Sequence, residues 1–176
     1  NGSSESAFEP QGSMTRAMFV TVLHRLAEKL DGPNVEEKAL SFKDVPANAW
    51  YAEALNWAVS AELTEGYGDG NFGPNDLLNR EQITVLMIRF LESYMGYDLS
   101  SYQTSIVFND DEQISAWAKE AVYKAVALGL IQGESENVFN AKGTASRAVV
   151  AVIAERFLEK SSSLKAEQPK ETPAPS

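Results

Sequence analysis

The chain has 176 residues, 44% of them hydrophobic, with 25 Asp and Glu against 15 Lys and Arg, for a formal charge of -10. That acidity excludes a general nucleic-acid binder, which needs a basic face to neutralise phosphates, and the absence of cysteine excludes disulfides and thiolate chemistry. No uncharged run approaches the roughly 18 residues of a membrane span, so membrane insertion is not expected.

Residues 1–13 are rich in Ser and Gly and read as a loop leading into Met14-Thr15-Arg16. Phe19, Val22, Leu23, Leu26, Ala27 and Leu30 then recur at helical spacing and predict an amphipathic helix from Arg16 to Leu30. Asp31-Gly32-Pro33-Asn34 should end it, with glycine as the left-handed cap. Phe42-Lys43-Asp44-Val45-Pro46 predicts a short extended entry, since Pro46 biases Val45 away from helix. The next helix, about Trp50 to Leu63, is expected to bury Trp50, Ala54, Trp57, Ala58 and Ala61. Next comes a glycine-rich loop, Gly66 to Gly73, and then a helix from about Arg80 to Met95 with Ile83, Leu86, Met87, Phe90, Leu91 and Tyr94 inward. Asn79 and Gln82 fit a capping box at its start. Phe108-Asn109-Asp110 repeats the entry, Trp117, Ala121, Ala125 and Leu128 share a helical stripe, and Gly129 and Gly133 flank the turn. Ser146 caps a last helix carrying Val149, Val150, Ile153, Phe157 and Leu158. Residues 161–176 are polar, contain proline and lack periodicity, which predicts a linker or tail.

Four positions keep phase through these segments. Phe8, Phe72 and Phe139 each stand eight residues before an arginine: Arg16, Arg80 and Arg147. Gly2, Gly66 and Gly133 precede those phenylalanines by six, and Arg25, Arg89 and Arg156 follow the first arginines by nine. The chain is therefore a repeat protein: residues 1–34 are the second half of repeat 1, 35–100 repeat 2, and 101–160 repeat 3. A first half comparable to 42–64 is absent from repeat 1, so the Arg16–Leu30 helix would expose apolar surface. A separate piece of chain or a neighbouring chain would have to supply that half.

The pattern Phe-x-Asp-Val, Trp, Ala, Gly-Tyr-x-Asp-Gly-x-Phe-x-Pro, Arg-Glu strongly resembles the S-layer homology domain. It is fullest in repeat 2, good in repeat 3, and limited to the second half of repeat 1. The resemblance implies an all-α fold: tandem helix–loop–helix repeats forming a three-pronged pseudo-trimer around a central helical bundle. It implies a secreted, non-catalytic module at the bacterial cell surface, binding a pyruvylated cell-wall polysaccharide through grooves between repeats. Carried over, the groove residues are Arg16, Arg80 and Arg147, with Asp44 and Asp110, Trp50 and Trp117, Gly66 and Tyr67, and Gly133 at the equivalent glycine. The pattern departs from the family at the terminal Glu of Thr-Arg-Ala-Glu, where Met18, Gln82 and Val149 stand. Gly-Tyr-x-Asp-Gly is intact only in repeat 2.

The chemistry of these residues fits that role. An arginine at a helix N-terminus adds a fork of donors to unpaired N–H groups, and can hold a carboxylate bidentately. An indole offers a sugar ring an apolar face, and glycines let a backbone approach a ligand. The plainer alternatives are that the first arginines form a structural salt bridge or clamp carbonyls between repeats, that the tryptophans are core, and that Arg25, Arg89 and Arg156 are structural. Asp69, Asn71, Gly73 and Asn75 alternate like a calcium loop, but Pro74 and Arg80 stand where glycine and a bidentate Glu are needed. His24 has no paired ligand, so no metal and no cofactor are expected. A helical-repeat protein-interaction module without a glycan ligand is the main rival, and a wall-active glycosidase fragment with facing carboxylates is the other.

Overall fold

The structure is a computed structural model and describes residues 12–167. Gly2, Phe8 and the tail from residue 168 lie outside the described residues. Five α-helices carry the chain: α1 (Arg16–Lys29), α2 (Ala52–Ser60), α3 (Arg80–Arg89), α4 (Ala116–Ala127) and α5 (Arg147–Glu167). The helix begun by α3 runs on as a π-helical stretch, Phe90–Tyr94, and a short 3-10 turn, Asp111–Gln113, precedes α4. Among the described residues β pairing is limited to isolated bridges. The chain is all-α.

The second helix of each repeat starts on a small polar residue. Thr15 Oγ1 accepts from Met18 N at 3.2 Å, Ser146 Oγ from Val149 N at 3.2 Å, and Asn79 with Gln82 forms the full capping box. Each cap answers an N–H that the helix itself cannot satisfy, an effect of about 1 kcal/mol. The first helices end alike. Leu63 N donates to Ala58 O and Leu130 N to Ala125 O, with Glu62 (φ 60°) and Gly129 (φ 75°) in the left-handed turn. At the end of α1 the left-handed residue is Asp31 (φ 48°), not the expected Gly32. Glycine is needed at 32 for another reason: a Cβ there would lie 2.5 Å from Tyr94 Oη, which donates to Pro33 O.

The repeats close into a ring. Arg16 N donates to Asp76 O at 2.9 Å, Arg80 N to Gly143 O at 2.9 Å, and Arg147 N to Gly12 O at 2.8 Å. Three isolated bridges keep the same order: Thr15 with Leu77, Asn79 with Thr144, and Ser146 with Ser13. Each helix start therefore docks on the loop of the next repeat, and the last docks on the first. This is a pseudo-three-fold arrangement. Phe90 and Phe157 meet edge-to-face at 5.2 Å inside it, and Phe72 and Phe139 are fully buried beneath their loops against Phe42 and Phe108.

α5 extends to Glu167, where the sequence predicted a tail from residue 161. Ser161 and Leu164 are buried, and Tyr102 Oη donates to Glu167 at 2.7 Å. One buried leucine with that docked carboxylate supplies the contacts which the polar composition of the segment concealed.

Candidate functional site

Each first arginine reaches into the loop of the following repeat. Arg16 Nε donates to Phe72 O at 3.0 Å and Nη2 to Glu65 O at 2.9 Å. Arg80 repeats this 67 residues on, with Nε to Phe139 O at 2.9 Å and Nη2 to Gln132 O at 2.9 Å. The planar fork suits two carbonyls at fixed spacing, which lysine could not match. In both, Nη1 makes no hydrogen bond to the described residues. The carbonyl-clamp reading holds for both arginines, with two bonds each. Arg147 Nε is buried without a partner among the described residues.

The aspartates complete the loops. Asp44 accepts from Phe72 N at 2.9 Å and Gly73 N at 2.8 Å, and Asp110 from Phe139 N at 2.8 Å and Asn140 N at 2.7 Å. Burial pushes both carboxyls up, but the backbone donors and the nearby guanidinium outweigh it, so both lie below the ordinary aspartate value.

The two arginine environments differ. Arg16 is half-buried, its guanidinium carbon 4.9 Å from the Tyr67 ring and 4.4 Å from that of Phe72. Tyr67 is itself exposed and donates to Asp76 Oδ2 at 2.6 Å. Arg80 is only 6% exposed, and where repeat 2 has Tyr67, repeat 3 has Glu134. Burial pushes the Arg80 guanidinium down while Glu134 and Asp110 push it up, leaving it below its ordinary value. The Arg16 groove thus offers a more open cation with an aromatic neighbour.

Trp50 and Trp117 are 59% and 61% exposed, which overturns the buried stripe expected of them. Trp50 precedes α2, and Trp117 lies in the first turn of α4, whose inner face is set by Ala118, Val122 and Ala125. Trp117 walls a cavity of about 230 Å³ between α3 and α4, alongside Val85, Ile88 and Lys124. Trp57 is the buried indole, packed on His24 at 5.1 Å and Tyr94 at 5.3 Å.

Gly66 and Gly133 have a packing reason of their own. A Cβ on Gly66 would lie 2.5 Å from Phe42 Cε1, and one on Gly133 2.7 Å from Val138 O and 3.2 Å from Phe108 Cε1. The glycines admit the entry phenylalanine beneath its loop. Asp69, in the loop whose alternation looks like a calcium loop, is exposed and caps its own turn, accepting from Asn71 N at 2.9 Å. Arg89 donates to Leu63 O at 2.9 Å, as a structural arginine should.

Sequence reasoning missed Glu81. Only 1% exposed, its carboxylate accepts from Ser115 N at 2.9 Å, from Ser115 Oγ at 2.7 Å and from Lys142 Nζ. It therefore ties the start of α3 to the start of α4 and to the loop of repeat 3, directly beside Arg80. Burial pushes Glu81 up, but Lys142 and Ser115 prevail and hold it below the ordinary glutamate value. The Arg-Glu pair was visible in the sequence. Its partners, 34 and 61 residues away, were not.

No helix among the described residues is long and apolar enough to cross a membrane, and none of their acidic, His or Cys residues cluster as a metal site. The family profile for the S-layer homology domain matches residues 41–84 and 107–148. The chain is 39% identical over 165 residues to the exoglucanase XynX of Acetivibrio thermocellus, covering 93% of this chain and 14% of that protein. It is 30% identical over 161 residues to the surface-layer 125 kDa protein of Lysinibacillus sphaericus, covering 90% of this chain and 13% of that protein. It is 26% identical over 153 residues to the cellulosome-anchoring protein of Acetivibrio thermocellus, covering 87% of this chain and 34% of that protein. The chain thus spans between 13% and 34% of the length of these three relatives.

Proposed function

Residues 41–84 and 107–148 place this chain in the S-layer homology domain family, and from that premise we propose that it is a non-catalytic anchor at the bacterial cell surface, holding a pyruvylated cell-wall polysaccharide in its inter-repeat grooves. Relatives named for cellulosome anchoring and for a surface layer support cell-surface anchoring. Relatives named as enzymes share only a small part of their length with it.

Two observations support the glycan reading: two indoles face outward, and the guanidinium groups of Arg16 and Arg80 use only Nε and Nη2 on carbonyls of the described residues. Trp50 and Trp117 stay in water although burial of an indole is strongly favourable, and each stands at the start of a helix. In the groove between repeats 1 and 2, Arg16 Nη1 meets a ketal carboxylate while Trp50 stacks on a sugar face. Asp44 holds the loop that fixes Arg16, and Tyr67 and Asp76 form the neighbouring wall. The groove between repeats 2 and 3 contributes Trp117 and Arg80, weakened as an anion site by Glu134. Two weak grooves on one rigid body strengthen retention through effective concentration.

The test is co-sedimentation with purified wall sacculi, with and without mild acid to remove pyruvate ketals. Binding should be lost on stripped sacculi, and Trp50→Ala and Trp117→Ala together should weaken it at least about tenfold, the scale of losing one or two stacking contacts. Equal retention on stripped sacculi would reject the pyruvyl group as the ligand.

A further inference from the structure

We propose that Lys142 receives the carboxylate of the wall polysaccharide where repeats 2 and 3 meet, taking over the anion contact that burial denies Arg80. This rests on the glycan reading above and adds a binding residue to it.

Arg80 is an inward cation. It is 6% exposed, its Nε and Nη2 are spent on Phe139 O and Gln132 O, and Glu134 stands where repeat 2 has Tyr67. Lys142 is the opposite case. Its side chain is 57% exposed, whereas that of Glu81, to which Nζ donates, is 1% exposed. Nζ donates also to Ser115 Oγ. An ammonium has three N–H groups, and the described residues take two of them. The Glu81 carboxylate, by contrast, is filled from the inside, accepting from both Ser115 N and Ser115 Oγ as well. The pair therefore shows its positive end to water.

The ammonium is also fixed before any ligand arrives. Ala141 O accepts from Glu81 N at 3.1 Å and Gly143 O from Arg80 N at 2.9 Å, so the backbone on both sides of Lys142 is tied to the start of α3. Ser115, its hydroxyl partner, stands two residues before the exposed Trp117. A lysine already held in this way has less side-chain freedom to lose on binding. The first junction lacks the set: position for position it has Ala17 for Glu81, Asn48 for Ser115 and Asn75 for Lys142. There Arg16 is only half-buried. The exposed charge thus moves from the helix start at the first junction to the loop at the second.

The test is co-sedimentation of the full chain with native sacculi and with sacculi stripped of ketals by mild acid. Lys142→Gln keeps an N–H for Glu81 and loses the charge. It should bind native sacculi at least about fivefold more weakly than the parent, the scale of one charge-assisted hydrogen bond. Glu81→Gln breaks the same ion pair but keeps the ammonium and an acceptor for Ser115, and should bind within about twofold of the parent. Circular dichroism and urea midpoints check that each variant is folded in the assay. In the unaltered chain, native sacculi should shield Lys142 from acetylation, read by peptide mass spectrometry, and stripped sacculi should not. Unchanged binding by folded Lys142→Gln overturns the proposal, as does acetylation of Lys142 that native sacculi leave unaltered. So does an equal loss in both variants, which would make the pair a structural link alone. A parent that binds native and stripped sacculi alike would instead reject the glycan reading, and this inference with it.

Discussion

Asp44 and Arg16 grip the same residue from opposite sides: the carboxylate accepts from Phe72 N at 2.9 Å while Arg16 Nε donates to Phe72 O at 3.0 Å. Asp110 and Arg80 do the same to Phe139. Each loop is thus held by an aspartate from its own repeat and an arginine from the previous one, and fully buried phenylalanine rings are pinned below. The clamp sets the position of the groove wall before any ligand arrives.

Acid should loosen both clamps. Asp44, Asp110 and Glu81 have folded pKa values below their ordinary ones, so their stabilisation is present above the unfolded values and is lost as pH falls through the folded ones. The thermal midpoint should fall between about pH 5 and about pH 3, and Asp44→Asn with Asp110→Asn should flatten that slope. A midpoint as acid-sensitive in the double variant as in the parent would show that other carboxyls control it.

Truncating the two arginines should not cost the same. Arg80→Ala strands two carbonyls in a buried setting and should lower stability by roughly 2–4 kcal/mol, while Arg16→Ala, half in water, should lower it by about 1 kcal/mol. Urea unfolding monitored by tryptophan fluorescence would rank them; the reverse order would contradict their exposures.

The exposed indoles should be dispensable for folding. Trp50→Ala and Trp117→Ala are each expected to change stability by no more than about 0.5 kcal/mol. Losses of about 3 kcal/mol, the cost of deleting a core aromatic, would return both side chains to the interior. The same measurement shows whether weakened wall binding in these variants reflects contact or unfolding.

Glu62→Gly should stabilise the protein. Glu62 occupies the left-handed position that Gly129 fills at the end of α4, and relief of that backbone strain exceeds the added freedom of the unfolded chain by roughly 0.5–1 kcal/mol. The increase should appear as a higher urea midpoint with an unchanged slope.

Glu81 and Lys142 should be coupled. Their double-mutant cycle to alanine is expected to show about 1–2 kcal/mol, because the carboxylate is buried while the ammonium remains partly in water. Independent effects would remove the pair as a link between repeats.

Much of this fold was legible because phase survives in the sequence. Phe72 and Phe139 with Arg80 and Arg147 announced the repeat, and Asn79 with Gln82 announced a helix start. The outward tryptophans were misread because aromatic character was counted as burial at helical spacing. The inner face of α4 runs through Ala118, Val122 and Ala125, so it shares Ala125 with the expected stripe, while Trp117 and Ala121 each lie one residue and about 100° to its side. The packing need at Gly66 was hidden because the ring it admits, from 24 residues earlier, cannot be placed without the fold. Glu81 stayed silent for the same reason, since Ser115 and Lys142 reach it only once repeats 2 and 3 have docked.

The docking of Arg147 N on Gly12 O has a mechanical consequence. Repeats 1 and 2, and repeats 2 and 3, are linked by continuous backbone as well as by contact, whereas the meeting of the last repeat with the first relies on contact alone. Tension applied at the far end of α5 would find its least reinforced joint where Ser13 lies against Ser146. Under shear the molecule should unzip there, like a bracelet at its clasp.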